Sequence, residues 1–239
     1  MRVFSVGCSF TEGQGLKYQS KESYTIKLAE KLNLQYFNFG SCGASNDYIF
    51  RKVFELINTN TITKEDILII QWTHYIRKEL PIIHKNKNWY YYAPNTKFPM
   101  CNKVIIKKLN SVRDEHYEND IDTDLYFLKD KNSDLLDTYS LNFLQEEYQL
   151  NTTINYINSI YTYLEYYGFK HIHFFGWDKC IIEPVFDKKI NFIKESFGGY
   201  TKTEGNEHPN KKGHELWSEV LYKKIIELHY SDDFQYRID

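Results

Sequence analysis

The chain has 239 residues, with 30 Lys and Arg against 32 Asp and Glu, which gives a net charge of −2 at neutral pH. A chain of this length suits one α/β domain, and we expect residues 1–239 to form a single domain. Nucleic acids and anionic membranes are bound through a local excess of Lys and Arg, so this charge balance predicts neither as a partner. No apolar run approaches the ~18 residues that a membrane helix needs.

The start of the chain and its cysteines predict where the protein is found. Residues 2–6 follow Met1 as a buried strand, and no basic segment with a long apolar run, which would indicate a signal peptide, is present. The cysteines contain no C-x-x-C pair, so they predict free thiols in a reducing compartment. They are Cys8, Cys42, Cys101 and Cys180. We expect a cytoplasmic protein.

Strand and helix patterns alternate along the first 75 residues. Residues 2–7 and 35–39 are typical of short strands, and residues 23–34 have apolar positions at helical spacing. Ser45 or Asn46 is suited to cap the next helix. Residues 67–72 form a continuous apolar run, which is typical of a strand covered on both faces of a parallel sheet.

The second half of the chain is less regular. Residues 81–133 are polar and aromatic with little period, and they predict an insertion or lid that contains a short hairpin. Residues 135–167 predict a long helix with a break near Asn151. Residues 169–175 predict a further strand, and residues 211–229 predict a final amphipathic helix.

Alternating strands and helices predict the fold class α/β, with a doubly wound parallel sheet between two layers of helices. In such sheets, ligands bind at the carboxyl ends of the strands. Three polar clusters fall at predicted strand ends, and they are residues 9–11, 43–46 and 73–74. We expect these clusters to line one site.

A serine and a histidine lie at positions suited to a nucleophile and its general base. Ser9 follows the first strand, and His208 precedes the last helix. A serine hydroxyl is a poor nucleophile until a base removes its proton, and histidine can do so near neutral pH. The element order brings both residues to the same edge of the sheet.

The motifs around these two residues resemble those of the SGNH/GDSL hydrolases, including phage-encoded and bacterial proteins of this type. Residues 7–11 (Gly-Cys-Ser-Phe-Thr) resemble the first block, with Cys8 in the place of aspartate. Residues 38–45 resemble the second block, and residues 208–214 (His-Pro-Asn-Lys-Lys-Gly-His) resemble the fifth. The resemblance implies a three-layer α/β/α fold with a parallel, flavodoxin-like sheet. It also implies that Ser9 is the nucleophile, His208 the base and Gly43 a backbone donor to the oxyanion hole.

The sequence departs from the family pattern at the third block, which normally supplies an asparagine to the oxyanion hole. Residues 71–75 (Gln-Trp-Thr-His-Tyr) contain none, and His74 lies at the corresponding position. Asn46 and Thr73 are the other candidate donors. Arg77 follows, and it either binds an anionic group of the substrate or pairs with Glu79.

A second departure concerns the acid that orients the histidine. The family places an aspartate three residues before the histidine, where this chain has Gly205. Glu204 is our prediction for this role, because its longer side chain can still reach the imidazole. Asn206 and Glu207 remain alternatives, since an amide can also orient a histidine.

The resemblance implies a serine esterase that removes a small acyl group, such as an acetyl group on a carbohydrate, without a cofactor or a metal. The expected partner is therefore a small-molecule or glycan ester. Two alternatives remain open, namely an O-acyltransferase that uses the same residues and a weakly active or inactive domain that binds glycan or protein. The composition, rich in Lys, Asn and Ile, also suits a phage genome, which would place the protein in an infected cell or a virion.

Overall fold

The computed structural model describes residues 1–81, 89–92, 146–177, 185, 189–200 and 208–229. The elements of these residues, numbered in chain order, are β1 (Arg2–Gly7), α1 (Ser9–Glu12), α2 (Gln19–Glu22), α3 (Tyr24–Leu32), β2 (Gln35–Gly40), α4 (Asn46–Asn58), β3 (Ile67–Trp72), β4 (Lys78–Pro81), β5 (Trp89–Tyr92), α5 (Glu146–Tyr167), β6 (Lys170–Phe175) and α6 (Lys211–His229). A 3₁₀ helix, Phe197–Gly199, lies between β6 and α6.

The central sheet has four parallel strands in the order β2-β1-β3-β6. Every residue of β3 is buried, as its continuous apolar run predicts. The order places β1 and β3 side by side at the centre, so that the chain leaving β1 and the chain leaving β3 emerge next to each other. The α/β fold predicted from the alternation of elements is confirmed.

Helices cover the sheet in two layers. Helix α3 packs against α6 in one layer, and α4 packs against α5 in the other. Their inner faces are apolar, with Leu28 and Trp217 on the first side and Ile49 and Ile160 on the second, all of them fully buried. Burial of this apolar surface is the main stabilising contribution to such a fold.

The structure differs from two predictions about the second half of the chain. The helix break near Asn151 is wrong, because α5 runs without interruption through residues 146–167. A hairpin is present, but its first strand, β4, begins at Lys78, before the predicted insertion. Most of residues 81–133, as well as residues 135–145, lie outside the described residues, so the predicted lid stays a prediction.

Two further findings bear on the expected environment of the chain. Among the described helices, none has both the length and the apolar character needed to cross a bilayer. Cys8 is a free thiol, as predicted. The Cys42 Sγ donates to the Gln14 Oε1 at 2.9 Å, whereas Cys101 and Cys180 lie outside the described residues.

His214 joins α6 to the start of α3. Its Nδ1 atom accepts a hydrogen bond from the backbone N–H of Tyr24 at 3.0 Å, so the neutral ring carries its proton on Nε2. The imidazole also stacks on the Tyr24 ring, with centroids 6.0 Å apart. Burial, with a smaller effect of His208, lowers the pKa of His214 to about 3.

We expect His214 to make the protein sensitive to acid. Between the unfolded-state pKa near ~6.5 and the folded-state pKa of about 3, only the unfolded chain binds the proton. The free energy of unfolding should therefore fall by ~1.4 kcal/mol per pH unit from this residue as the pH is lowered through that window. Urea unfolding between pH 7 and pH 4.5 should show a shallower slope for His214→Asn, which keeps an acceptor for Tyr24. Equal slopes would contradict this account.

Candidate active site

Ser9 lies directly after β1, at the first residue of the short helix α1. Cys8 is extended, with φ −95° and ψ −156°, and the chain then turns into the helix. The turn closes at Gly13, whose φ of 89° favours glycine and whose N–H donates to the Ser9 carbonyl at 3.0 Å. Ser9 therefore occupies a short helix rather than a loop, and only 2% of its surface is exposed.

His208 meets Ser9 across the sheet edge, as the element order predicts. Its Nε2 lies 2.9 Å from the Ser9 Oγ, which is hydrogen-bonding distance. Asn210 fixes the chain at this point by capping α6, since its Oδ1 accepts from the Gly213 N–H at 3.0 Å. The cap positions the residues just before the helix, which include His208.

The surroundings of His208 keep its ring neutral. Burial, followed by the positive charge of Arg77, lowers the pKa of His208 to about 4. The ring also meets the Phe10 ring edge to face, with centroids 5.0 Å apart. At neutral pH the imidazole is therefore unprotonated and able to accept the Ser9 proton.

Two backbone N–H groups lie at the neighbouring strand ends. Gly43 follows β2 and has a φ of 75°, in the left-handed region that favours glycine. The turn that carries it is tied to β1 by a hydrogen bond from the Ser41 N–H to the Gly7 carbonyl at 3.1 Å. Within the described part of the chain, the N–H groups of Ser9 and Gly43 have no acceptor. Both are thus available to a substrate oxygen.

Asn46 is engaged with the backbone after β3. Its Oδ1 accepts from the Thr73 N–H at 2.9 Å, and its Nδ2 donates to the Thr73 carbonyl at 3.1 Å and to the Thr153 hydroxyl at 3.2 Å. Both amide hydrogens therefore have acceptors, so Asn46 fixes the strand end that carries Thr73 and His74. The roles of these three residues toward an oxyanion stay predictions.

Gln71 holds the nucleophile turn, residues 8–13, in place. The sequence analysis did not identify Gln71 as a site residue. Its fully buried Oε1 accepts from the Cys8 N–H at 3.3 Å, from the Thr11 N–H at 3.1 Å and from the Thr11 hydroxyl at 2.6 Å. Its Nε2 donates to the Cys8 Sγ at 3.0 Å and to the Trp72 carbonyl at 3.3 Å. Gln71 thus ties the chain on both sides of Ser9 to β3.

Gly7 and Gly176 have no side chain, and this leaves the space that the Gln71 amide occupies. A Cβ atom at Gly176 would lie 2.1 Å from the Gln71 Nε2, and one at Gly7 would lie 2.8 Å from its Oε1. The sequence did contain a signal, because Gln71 is a polar residue inside the otherwise apolar run 67–72. A buried amide in such a run needs partners, and the nearest strand end supplies them.

The predicted acid, Glu204, lies outside the described residues, as do the alternatives Asn206 and Glu207. The role of each toward His208 stays a prediction.

His171 and His173 lie two residues apart on β6, and their imidazole rings are hydrogen-bonded to each other. The Trp72 Nε1–H donates to the His173 Nδ1 at 3.1 Å, which leaves the proton of His173 on Nε2. That nitrogen lies 2.9 Å from the His171 Nδ1 and donates to it. Among the described residues, no group of three side chains is arranged to hold a metal ion.

Comparisons with known proteins agree with this fold. No protein-family model matches the chain, and no curated protein matches it either. Solved structures do match it, and the following two are among them. A lipolytic protein of the G-D-S-L family from Desulfitobacterium hafniense DCB-2 is 12% identical, with a TM-score of 0.50, over 93% of this chain and 98% of that chain. The psychrotrophic esterase EstA from Pseudoalteromonas sp., in a structure inhibited by monoethylphosphonate, is 10% identical. Its TM-score is 0.50, over 95% of this chain and 97% of that chain. The chain has the fold of the SGNH hydrolases.

Proposed function

We propose that the protein is a serine hydrolase that cleaves a small acyl ester. The observation that carries this proposal is the 2.9 Å contact between the Ser9 Oγ and the Nε2 of an imidazole that is neutral at physiological pH. The likeness to a lipolytic protein and to an esterase supports the fold on which this site is built. The site geometry supports the activity.

The first half of the reaction forms an acyl-enzyme. The Ser9 Oγ attacks the ester carbonyl carbon while its proton moves to the His208 Nε2. Negative charge then develops on the carbonyl oxygen, where the N–H groups of Ser9 and Gly43 can donate to it. When the tetrahedral intermediate collapses, the C–O bond to the alcohol breaks, and His208 returns its proton to the leaving alcohol.

The second half releases the acid. Water gives one proton to the His208 Nε2 while its oxygen attacks the acyl carbon. The intermediate collapses, the bond to the Ser9 Oγ breaks, and His208 reprotonates the serine. No proton, electron or cofactor is consumed. For the acyl group we propose acetate on a carbohydrate, as the resemblance of the sequence motifs to those of the SGNH/GDSL hydrolases implies.

Turnover of 4-nitrophenyl acetate and of acetylated sugars by the purified protein tests this proposal. We expect 4-nitrophenolate release with saturation kinetics and release of acetate from at least one acetylated sugar. Activity on neither ester would contradict the hydrolase. Activity on 4-nitrophenyl acetate alone would keep the hydrolase and reject the carbohydrate substrate.

The pH dependence of a neutral ester should follow His208. Because only the unprotonated imidazole accepts the Ser9 proton, kcat/KM should fall about tenfold per pH unit below the His208 pKa and level off above it. Burial and Arg77 place that pKa at about 4, so kcat/KM should be nearly constant from pH 5.5 to pH 7.5. Rates measured at constant ionic strength check this. A midpoint near the ordinary histidine pKa of ~6.5 would contradict it.

A further inference from the structure

We infer that Arg77 binds an anionic group of the substrate, so that the preferred ester carries a carboxylate, phosphate or sulfate group beside the scissile bond. This inference rests on the proposed hydrolase function and names a substrate class for the same site. It follows from where the guanidinium lies, from what holds it and from the charges around it.

The chain after β3 brings Arg77 to the catalytic edge of the sheet. A turn places it there, with its backbone N–H donating to the His74 carbonyl at 3.1 Å. The guanidinium carbon lies 5.4 Å from the centre of the Trp177 ring, and that ring lies 6.3 Å from the His208 ring. Stacking on an aromatic ring fixes the plane of a guanidinium and leaves its edge free to donate. Arg77 is therefore held beside the catalytic base.

The described residues use little of the hydrogen-bonding capacity of the Arg77 guanidinium. The Arg77 Nη1 lies 3.5 Å from the Ala44 carbonyl, at the outer limit of a hydrogen bond, and the group has five N–H donors. Among the described side chains, which do not include that of Glu79, no carboxylate lies within ion-pair distance of Arg77. The next residue differs, since the Lys78 Nζ is paired with Asp47 at 3.0 Å. A guanidinium with unused donors suits a planar oxyanion, which it can bind with two parallel hydrogen bonds.

The position of this charge also matters for the reaction. His208 becomes an imidazolium when it takes the Ser9 proton, and a nearby uncompensated cation makes that step less favourable. Burial is the main cause of the lowered pKa of His208, and the Arg77 charge lowers it further. A bound anion would neutralise Arg77 and remove this opposition. An anionic ester would thus gain both in binding and in the chemical step, whereas a neutral ester would gain in neither.

The test uses two pairs of esters, each with an anionic member and a neutral member of similar size. In the first pair, 4-acetoxybenzoate and 4-acetoxybenzamide differ on the alcohol side. In the second, mono-4-nitrophenyl adipate and 4-nitrophenyl hexanoate differ at the far end of the acyl chain. The ratio of kcat/KM for the anionic member to that for the neutral member is measured for the wild type, Arg77→Met, Arg77→Lys and Lys78→Met. Lys78→Met is the matched control. It also removes one positive charge, at the residue next to Arg77, but the Lys78 ammonium group is already paired with Asp47.

We expect the wild type to favour the anionic member of at least one pair. Arg77→Met should lower that ratio at least about tenfold, since a hydrogen bond to a charged group contributes ~1.5–3 kcal/mol. Arg77→Lys should keep part of the preference, and Lys78→Met should keep all of it. Ratios that Arg77→Met leaves unchanged in both pairs would overturn the inference, even if both rates fall together, because a purely structural role lowers both members alike. If the wild type hydrolyses none of the four esters, the proposed function fails and the inference fails with it.

Discussion

Ser9→Ala, His208→Ala and the double variant should each lower kcat for 4-nitrophenyl acetate by at least about 10³-fold. The two residues act in one step, because the Ser9 Oγ is a nucleophile only while the His208 Nε2, 2.9 Å away, takes its proton. Once one member is missing, the other has nothing to act on. The losses should therefore not add, and the double variant should be about as slow as either single variant. Steady-state and single-turnover kinetics on all three variants measure this.

Ser218→Ala is the matched control for this experiment. Ser218 is also a fully buried serine, and its hydroxyl donates to the Glu215 carbonyl within α6, far along the chain from the nucleophile turn. It should keep the wild-type kcat. Losses that multiply in the double variant would show that Ser9 and His208 act independently, which would contradict the mechanism.

Gln71→Leu should have the second-largest effect, on stability and activity together. The substitution leaves the N–H groups of Cys8 and Thr11 buried without their acceptor. An unsatisfied buried donor costs ~1–3 kcal/mol, so the free energy of unfolding should fall by about 3 kcal/mol in total. The turn that carries Ser9 loses its link to β3, so we also expect kcat to fall at least about tenfold, since small displacements of reacting groups are costly. Urea unfolding and ester hydrolysis measure the two effects.

Two variants separate positioning from a general loss of packing. Gln149→Leu removes another buried amide, whose Oε1 has no hydrogen-bond partner among the described residues, and it should change neither stability nor kcat by much. Gln71→Glu keeps an acceptor for the two N–H groups of the turn and should retain more activity than Gln71→Leu. If both Gln71 variants keep the wild-type kcat while unfolding more easily, Gln71 is only structural.

Much of the architecture could be predicted because each strand and helix has a clear local pattern. The apolar run 67–72 requires a strand buried on both faces, and the structure places β3 next to β1 at the centre of the sheet. The contact between Ser9 and His208 follows from topology, since both come at strand or helix ends on one edge. Asn210 as the cap of α6 also follows from a local motif.

What could not be predicted depends on contacts between distant residues. A break was expected at Asn151, where residues 151–153 have low helix propensity, but packing overrides propensity there. Thr153 is buried in α5 and accepts from Asn46 of α4, which ties this part of the helix to its neighbour. Gln71 and Asn46 bind backbone groups of distant residues, and a polar residue in a local pattern does not show which groups these are. The predicted insertion and Glu204 lie outside the described residues.

The most direct test of the central claim is covalent modification by a 4-nitrophenyl phosphonate ester, followed by intact mass and peptide mapping. Attack by the Ser9 Oγ would form a P–O bond and release 4-nitrophenolate. The phosphonate would then remain on Ser9 as a stable adduct. We predict one adduct per chain on the peptide that contains Ser9, none in Ser9→Ala and much slower labelling in His208→Ala. An adduct on another residue, or an unmodified Ser9 under conditions that fully modify a reference serine esterase, would contradict the assignment of Ser9 as the nucleophile.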